Sequence, residues 1–268
     1  MDGTSAKAAM TAIEMTQVAV GSMQEPETVV AEEINWTVQA GDYWVIGGLQ
    51  GSGKSDFLMM TGGVVPPLRG RYLLFGEEMP IFDDARLKQR LRLGLVFDGG
   101  QLFNHLTVRE NVALPLRYHR NLTAGEAEAQ VQPVLEAMDL TSLADSTPGA
   151  LGRNWHKRVG LARALMLKPE VLLVDNPLAG LDLRHAHWWL EFLGRLSTGD
   201  KLMGGRPLTL VMTSADLRPW KGQARQFAVL QKHRLSVLGT WERLEAASAE
   251  LVQELLTVGK EKTAERNG

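Results

Sequence analysis

Apolar and polar residues alternate through Ile34, Asn35, Trp36, Thr37 and Val38, the two-residue period of a strand with one buried face. The same stretch reads as a strand over residues 29–38. Five short runs are mainly apolar instead: 43–46, 72–75, 93–97, 171–174 and 208–212. All five read as strands, and the continuous runs at 171–174 and 208–212 as strands buried on both faces, the habit of parallel sheets. Helical spacing falls between them, at 56–60, 124–138, 156–167 and 185–196. Strands interleaved with helices predict a layered α/β fold. Residues 106–167 lack strand patterning and read as a helical insertion. Residues 241–258 carry Leu244, Ala247, Leu251, Leu255 and Val258 on a similar face and predict one amphipathic helix packed on its own domain. The small polar residues 2–9 predict a frayed start, and residues 259–268 a charged tail.

Composition narrows the class without naming it. The chain has 268 residues, of which 44% are hydrophobic and 22% charged, with a formal net charge of -2. That length is one large domain or two small ones. The charge excludes a strongly basic nucleic-acid binder. The chain has no cysteine, which excludes disulfides, zinc–cysteine sites, iron–sulfur clusters and a cysteine nucleophile, and fits a reducing compartment. No run reaches the ~18 consecutive apolar residues of a membrane helix. The first ten residues lack the basic-then-apolar order of a secretory signal. A role at a membrane then requires another chain to hold this one there.

The sharpest local signal is Gly48-Leu49-Gln50-Gly51-Ser52-Gly53-Lys54-Ser55, which fits G-x-x-x-x-G-K-[ST] and is followed by Asp56. A strand precedes it and a helical run follows. Glycines let the backbone turn its N–H groups onto phosphate oxygens, and the helix N-terminus adds positive potential. Lys54 is placed to reach β- and γ-phosphates and Ser55 to ligate Mg²⁺. The run at 171–174 ends in Asp175. An aspartate there is often a turn or helix cap. Paired with the upstream loop, its favoured reading is a Mg²⁺ carboxylate acting through water.

Further segments fall in an order that resembles the ATP-binding subunits of ABC transporters over about residues 10–238. Residues 95–116, with Gly100-Gln101-Leu102-Phe103, are similar to the family's glutamine-loop region, in wording close to lipid-trafficking importers that work with substrate-binding MCE proteins. Residues 148–163 take the place of the signature motif and its helix. Asp175-Asn176-Pro177-Leu178-Ala179-Gly180-Leu181-Asp182 resembles Walker B plus D-loop, and 210–217 the switch-histidine segment. The resemblance implies a P-loop NTPase fold of ABC type: one domain over 1–258 with a RecA-like core at about 10–98 and 168–240 and a helical subdomain at about 99–167. It implies two ATP molecules with Mg²⁺ sandwiched in a dimer, each between one subunit's glycine loop and the other's signature.

The chain departs from the family at its catalytic positions. Asp98 stands where the glutamine is expected, and Leu151-Gly152-Arg153-Asn154-Trp155-His156 where a Leu-Ser-Gly-Gly-Gln run is expected. Asn176 replaces the glutamate that serves as general base. The switch histidine falls at Ser214 or Ala215, and the adenine-stacking aromatic near Val20, where there is none. General-base catalysis contributes about 10²–10⁴-fold, and an amide cannot accept the proton of an attacking water. ATP is therefore expected to be retained and hydrolysed slowly or not at all. Pairing with an intact subunit leaves both composite sites impaired, one lacking its base and the other facing the altered signature. Three readings stay open: loss of catalysis by drift, a static ATP-bound clamp, and a reciprocal exchange in which the carboxylate missing at Asn176 reappears at Asp98. In the last, Asp98 ligates the metal or acts as a displaced base, and Arg153 supplies a cation to the γ-phosphate.

Other features read more blandly. His185 and His187, two apart, do not share a helix face, so a metal pair is disfavoured. The seven tryptophans read as packing or interface anchors. Trp155 is the exception, since it sits in the signature segment, where it faces a dimer interface or the nucleotide. Arg117, His119 and Arg120 read as a solvated face. Asp182, at the D-loop position, is placed to contact an opposite subunit. The resemblance thus implies a cytoplasmic ATP-binding subunit held at the inner face of a membrane by permease chains. Its expected partners are a second ATP-binding subunit and an MCE-type protein, with lipid or another hydrophobic compound as cargo and no nucleic acid. The rival reading is a non-transport ATP-binding regulator or scaffold.

Overall fold

In the computed structural model, residues 10–79, 83–247 and 250–257 are described; the expected frayed start and charged tail lie outside them. In chain order the strands are β1 (Thr11–Gly21), β2 (Val29–Gln39), β3 (Tyr43–Gly47), β4 (Arg69–Leu74), β5 (Glu77–Glu78), β6 (Leu93–Val96), β7 (Val171–Val174), β8 (Thr209–Ser214), β9 (Gln226–Gln231) and β10 (Arg234–Gly239). The helices are α1 (Lys54–Thr61), α2 (Leu87–Arg90), α3 (Val108–Arg120), α4 (Ala124–Ala137), α5 (Arg153–Leu165), α6 (Leu183–Thr198), α7 (Trp241–Ala246) and α8 (Glu250–Thr257).

Four of the apolar runs supply β3, β8, β7 and the edge strand β6 of a six-stranded sheet ordered β10-β9-β3-β8-β7-β6, whereas the run at 72–75 falls in β4, outside it. All neighbours are parallel except the β10–β9 edge pair. β3 and β7 are buried along their whole length, which is why their sequences run apolar without alternation. β1, β2, β4 and β5 make a separate antiparallel sheet ordered β2-β1-β4-β5. Between the two sheets lies one core, where Trp36 meets Trp44 edge-on at 5.6 Å and Phe57 of α1 at 5.4 Å. A second core, on the other face of the large sheet, runs from Tyr43 and Val174 through Trp189 and Phe192 of α6 into α3, α4 and α5.

Apolar patterning does not mark β1, β5, β9 or β10. β1 hides because its alternation is interrupted: Gln17 takes φ 53, and the pairing with β2 shifts register between Met15 and Val18. Val20 is fully buried in this strand. The expected single helix at 241–258 is corrected. α7 stops at Ala246, and Ala247 is extended at φ -70, ψ 120 before α8 begins. Residue 258 lies outside the described chain. The apolar positions still bury Leu244, Leu251 and Leu255, from two short helices rather than one.

Between β6 and β7 the chain is helical, as the missing strand pattern predicts. Thr107 and Thr123 start α3 and α4, each with a reciprocal capping box to Glu110 and Glu126. Fully buried Asn111 ties the preceding loop to α3. Its Oδ1 accepts from Phe103 N at 2.9 Å, and its Nδ2 donates to the carbonyls of Phe103, Leu106 and Thr107 at 3.0–3.2 Å. Arg117 and Arg120 are exposed in the last turn of α3, where cations suit the helix dipole.

Candidate functional site

Parallel pairing places the carboxyl ends of β3, β8, β7 and β6 side by side, with Gly47 beside Ser214 and Val96 beside Val174. At or just beyond those ends lie the glycine loop, Ser214–Ala215, Asp175–Asn176 and Asp98. Ligands of open α/β sheets bind outside this edge. A cleft of about 1190 Å³ opens there, lined by Gln50, Gly51, Gly53, Lys54, Ser55 and Asp56 from the loop and by Asp98, Asp175, Asn176 and Ser214 from the other strand ends.

The loop needs its glycines. At Gly48 a Cβ would lie 2.6 Å from Ser52 Oγ and 2.7 Å from the Leu230 carbonyl oxygen. Gly51 and Gly53 take φ 78 and 89, the left-handed region that glycine enters without steric cost. Gly53 is the N-cap of α1, so the helix dipole is aimed at the loop. Lys54 Nζ donates to the carbonyls of Gly48 and Leu49, both at 2.7 Å, and to Ser52 Oγ at 3.3 Å. Burial pushes the Lys54 ammonium below its usual range, and the Asp175 carboxylate offsets part of that shift. An anion in the cleft would favour its charged form.

Asp175 is buried and fully engaged. Ser55 Oγ donates to its Oδ2 at 2.7 Å and Thr213 Oγ1 to its Oδ1 at 2.6 Å. Thr213 also accepts from Asn176 N at 2.9 Å, so one buried hydroxyl sets both residues after β7. A hydroxyl and a carboxylate form a hard-oxygen pair suited to Mg²⁺. Among the described residues no group of three or more His, Asp and Glu side chains could hold a metal. A cation at Ser55 and Asp175 would therefore complete its shell with phosphate oxygens and water, the habit of Mg²⁺ at nucleotide sites.

Asn176 sits at φ 48, a left-handed conformation that asparagine tolerates better than most residues. Lys157 of α5 binds its carbonyl at 2.8 Å and the Ala179 carbonyl at 3.0 Å. The same ammonium pairs with Asp98 Oδ1 at 2.9 Å. Asp98 thus lines the cleft with a cation already on it. Ser214 Oγ donates to the Asp216 carbonyl at 2.7 Å and closes a turn.

Gly152, Arg153, Asn154, Trp155 and Asp182 do not line this cleft. Gly152 is the extended N-cap of α5, and Arg153 is exposed in its first turn. Trp155 is half-buried at the start of α5, outside the lining of this cleft. Its ring packs edge-on against His185 of α6 at 5.3 Å, with the Arg158 guanidinium 4.8 Å from the ring centroid. Arg158 also lies 3.7 Å over Trp188, so one guanidinium bridges the two tryptophan rings by cation–π contact. Asp182 caps α6, accepting from His185 N at 2.9 Å. Thr213 and Lys157 escaped the pattern reading. The available signals were a threonine beside the switch position and Gly160, a helix-interior glycine of the kind that marks close backbone approach.

Fold and cleft together define the class: a P-loop nucleotide-binding α/β protein. The ABC transporter family model matches residues 31–179, and the chain belongs to that family. It is 36% identical over 154 residues to the intermembrane phospholipid transport system ATP-binding protein MlaF of Escherichia coli K12, covering 57% of each chain. It is 33% identical over 241 residues to the energy-coupling factor transporter ATP-binding protein EcfA2 of Symbiobacterium thermophilum, covering 87% of this chain and 80% of that one. To the sulfate/thiosulfate import ATP-binding protein CysA of Synechococcus elongatus it is 36% identical, but that match spans only 47% of the relative's length. Among solved structures, cbiO1 of Clostridium perfringens superposes with a TM-score of 0.73 at 22% identity, over 88% of this chain and 91% of that one. A dimeric post-hydrolysis ATP-binding cassette bound to ADP and Pi superposes at 0.72 with 25% identity, over 83% and 96%. Among the described residues no helix is long and apolar enough to cross a membrane.

Proposed function

We propose that this chain is the ATP-binding subunit of an ABC transporter and that it holds Mg-ATP far longer than it takes an active cassette to turn it over. One observation carries the reading. The glycine loop, Lys54, Ser55, Asp175 and Thr213 lie together at the strand ends, with Ser55 and Thr213 both bonded to Asp175, while the position beside them holds Asn176, an amide without base strength. There the loop N–H groups and Lys54 would hold the phosphates, and Ser55 and Asp175 would hold Mg²⁺, which would supply positive charge against them.

Similarity to a dimeric cassette supports a dimer of ATP-binding subunits, with Arg153 at the exposed start of α5 offered to the partner's nucleotide. Exposed Tyr118 and Phe103 on the helical segment supply the apolar surface for permease chains. Such contacts support a position at the cytoplasmic face of the membrane. Lipid is the proposed cargo, with an MCE-type partner. It is supported by the resemblance around Phe97 to Phe103 and by the phospholipid-system relative, against relatives named for sulfate and energy-coupling-factor transport.

The test pairs Mg-ATP binding with turnover in the wild type and in Asn176→Glu. Tight binding with negligible wild-type turnover, and a rise on restoring the carboxylate, is the expected result. Family-typical turnover in the wild type would refute the reading of Asn176.

A further inference from the structure

Lys157 is 5% exposed, yet its ammonium has as many partners as it has protons: Asp98 Oδ1 at 2.9 Å and the carbonyls of Asn176 and Ala179 at 2.8 and 3.0 Å. These acceptors come from two strand-end loops, and the donor comes from the helical segment between the strands. The approach is built into the backbone. Gly100 takes φ 80, and a Cβ there would fall 2.2 Å from the His156 carbonyl oxygen. A Cβ on Gly160 would fall 2.9 Å from Gly100 Cα. Arg163 then donates to the Gly100 carbonyl at 2.8 Å. The loop carrying Asp98 is therefore pressed onto α5, which brings Lys157 to it.

The pair also sets the charge of the cleft. Asp98 and Asp175 both line it, and Asp175 is left to Ser55 and Thr213. Without Lys157, the Asp98 carboxylate would face a bound triphosphate uncompensated. With it, this wall is neutral, and the carboxylate is committed to an ammonium rather than to a metal.

We propose that Lys157 is a positioning and specificity residue: it neutralises Asp98, and the Asp98–Lys157 pair sets the preference of the cleft for ATP over ADP. Asp98 is then the counter-ion of Lys157 and not a Mg²⁺ ligand. The inference rests on the reading of the cleft as an ATP site, but not on whether ATP is hydrolysed.

The experiment is a double-mutant cycle on the full chain, with fluorescent ATP and ADP analogues titrated in Mg²⁺ and folding checked by thermal melting. Lys157→Gln leaves a free carboxylate and is expected to weaken ATP relative to ADP by about tenfold, the scale of one like charge several ångströms away in a partly solvated site. Asp98→Asn leaves a free ammonium and is expected to shift the ratio the other way. The double variant returns towards wild type, and Asp98→Glu keeps the wild-type ratio. Weaker Mg-ATP binding in Asp98→Asn would make Asp98 a metal ligand and overturn the proposal. So would a Lys157→Gln loss equal for both nucleotides or not rescued by Asp98→Asn. Asp98 is half-exposed, so its variants stay informative even if Lys157→Gln unfolds. Should the wild type bind neither nucleotide, the ATP-site reading fails first; binding of both with a flat cycle removes this inference alone.

Discussion

Thr213 shows how much one side chain can decide. Its hydroxyl donates to Asp175 and accepts from the Asn176 backbone, in a fully buried position. Thr213→Val keeps the shape and removes both partners. The expected cost is about 1–3 kcal/mol in denaturant unfolding, because a buried N–H and a carboxylate oxygen are left short of a partner. Mg²⁺-dependent nucleotide affinity should fall with it, since Asp175 loses a contact that orients it. Asn176 is a second such position. Its positive φ suits the asparagine, so Asn176→Glu trades local comfort for base strength. A small loss of thermal stability should accompany any gain in turnover.

Among elements, the helical segment depends on its ends. Hydrogen bonds from the Thr107 backbone and then its hydroxyl hold the Glu110 carboxyl below the usual range; those from the Thr123 hydroxyl and then its backbone do the same for Glu126. A lowered carboxylate pKa adds stability that is present above the unfolded value and is lost as pH falls through the folded one. Melting temperature should therefore drop more steeply below about pH 4.3 in the wild type than in Glu110→Gln/Glu126→Gln, whose caps do not titrate. Equal slopes for both proteins would show that the capping boxes carry no linkage. α5 is set differently, by Gly100 and Gly160 at the close approach to the loop after β6. Nothing in its apolar spacing announces that contact, because a missing Cβ carries no hydropathy.

At the scale of the whole molecule, the cleft is assembled by four parallel strand ends on one sheet edge. If the subunit pairs around bound nucleotide and releases it slowly, Mg-ATP should convert monomer to a long-lived dimer by light scattering. Lys54→Ala should remain monomeric under the same conditions. A wild type that stays monomeric with saturating Mg-ATP would remove the homodimeric clamp. Leu183 is 90% exposed immediately after Asp182, beside the cleft, and is a natural position at which to place a spectroscopic label for that experiment.

Residue types and local spacing determined the α/β class, the glycine loop, the carboxylate after β7 and the amide beside it. Each is a property of neighbours along the chain: glycines that permit a turn, an apolar run that must be buried, a side chain that has or lacks a titratable oxygen. The same local view offered Asp98 no partner, so an exchange with the carboxylate missing at Asn176 stayed one of three open readings. Only the fold supplied Lys157 to it, packed Trp155 edge-on against His185, and brought Thr213, 38 positions away, onto Asp175 beside Ser55. Charge balance and hydrogen-bond satisfaction are settled by distances in space, and the sheet and the two glycines of the α5 contact create those distances.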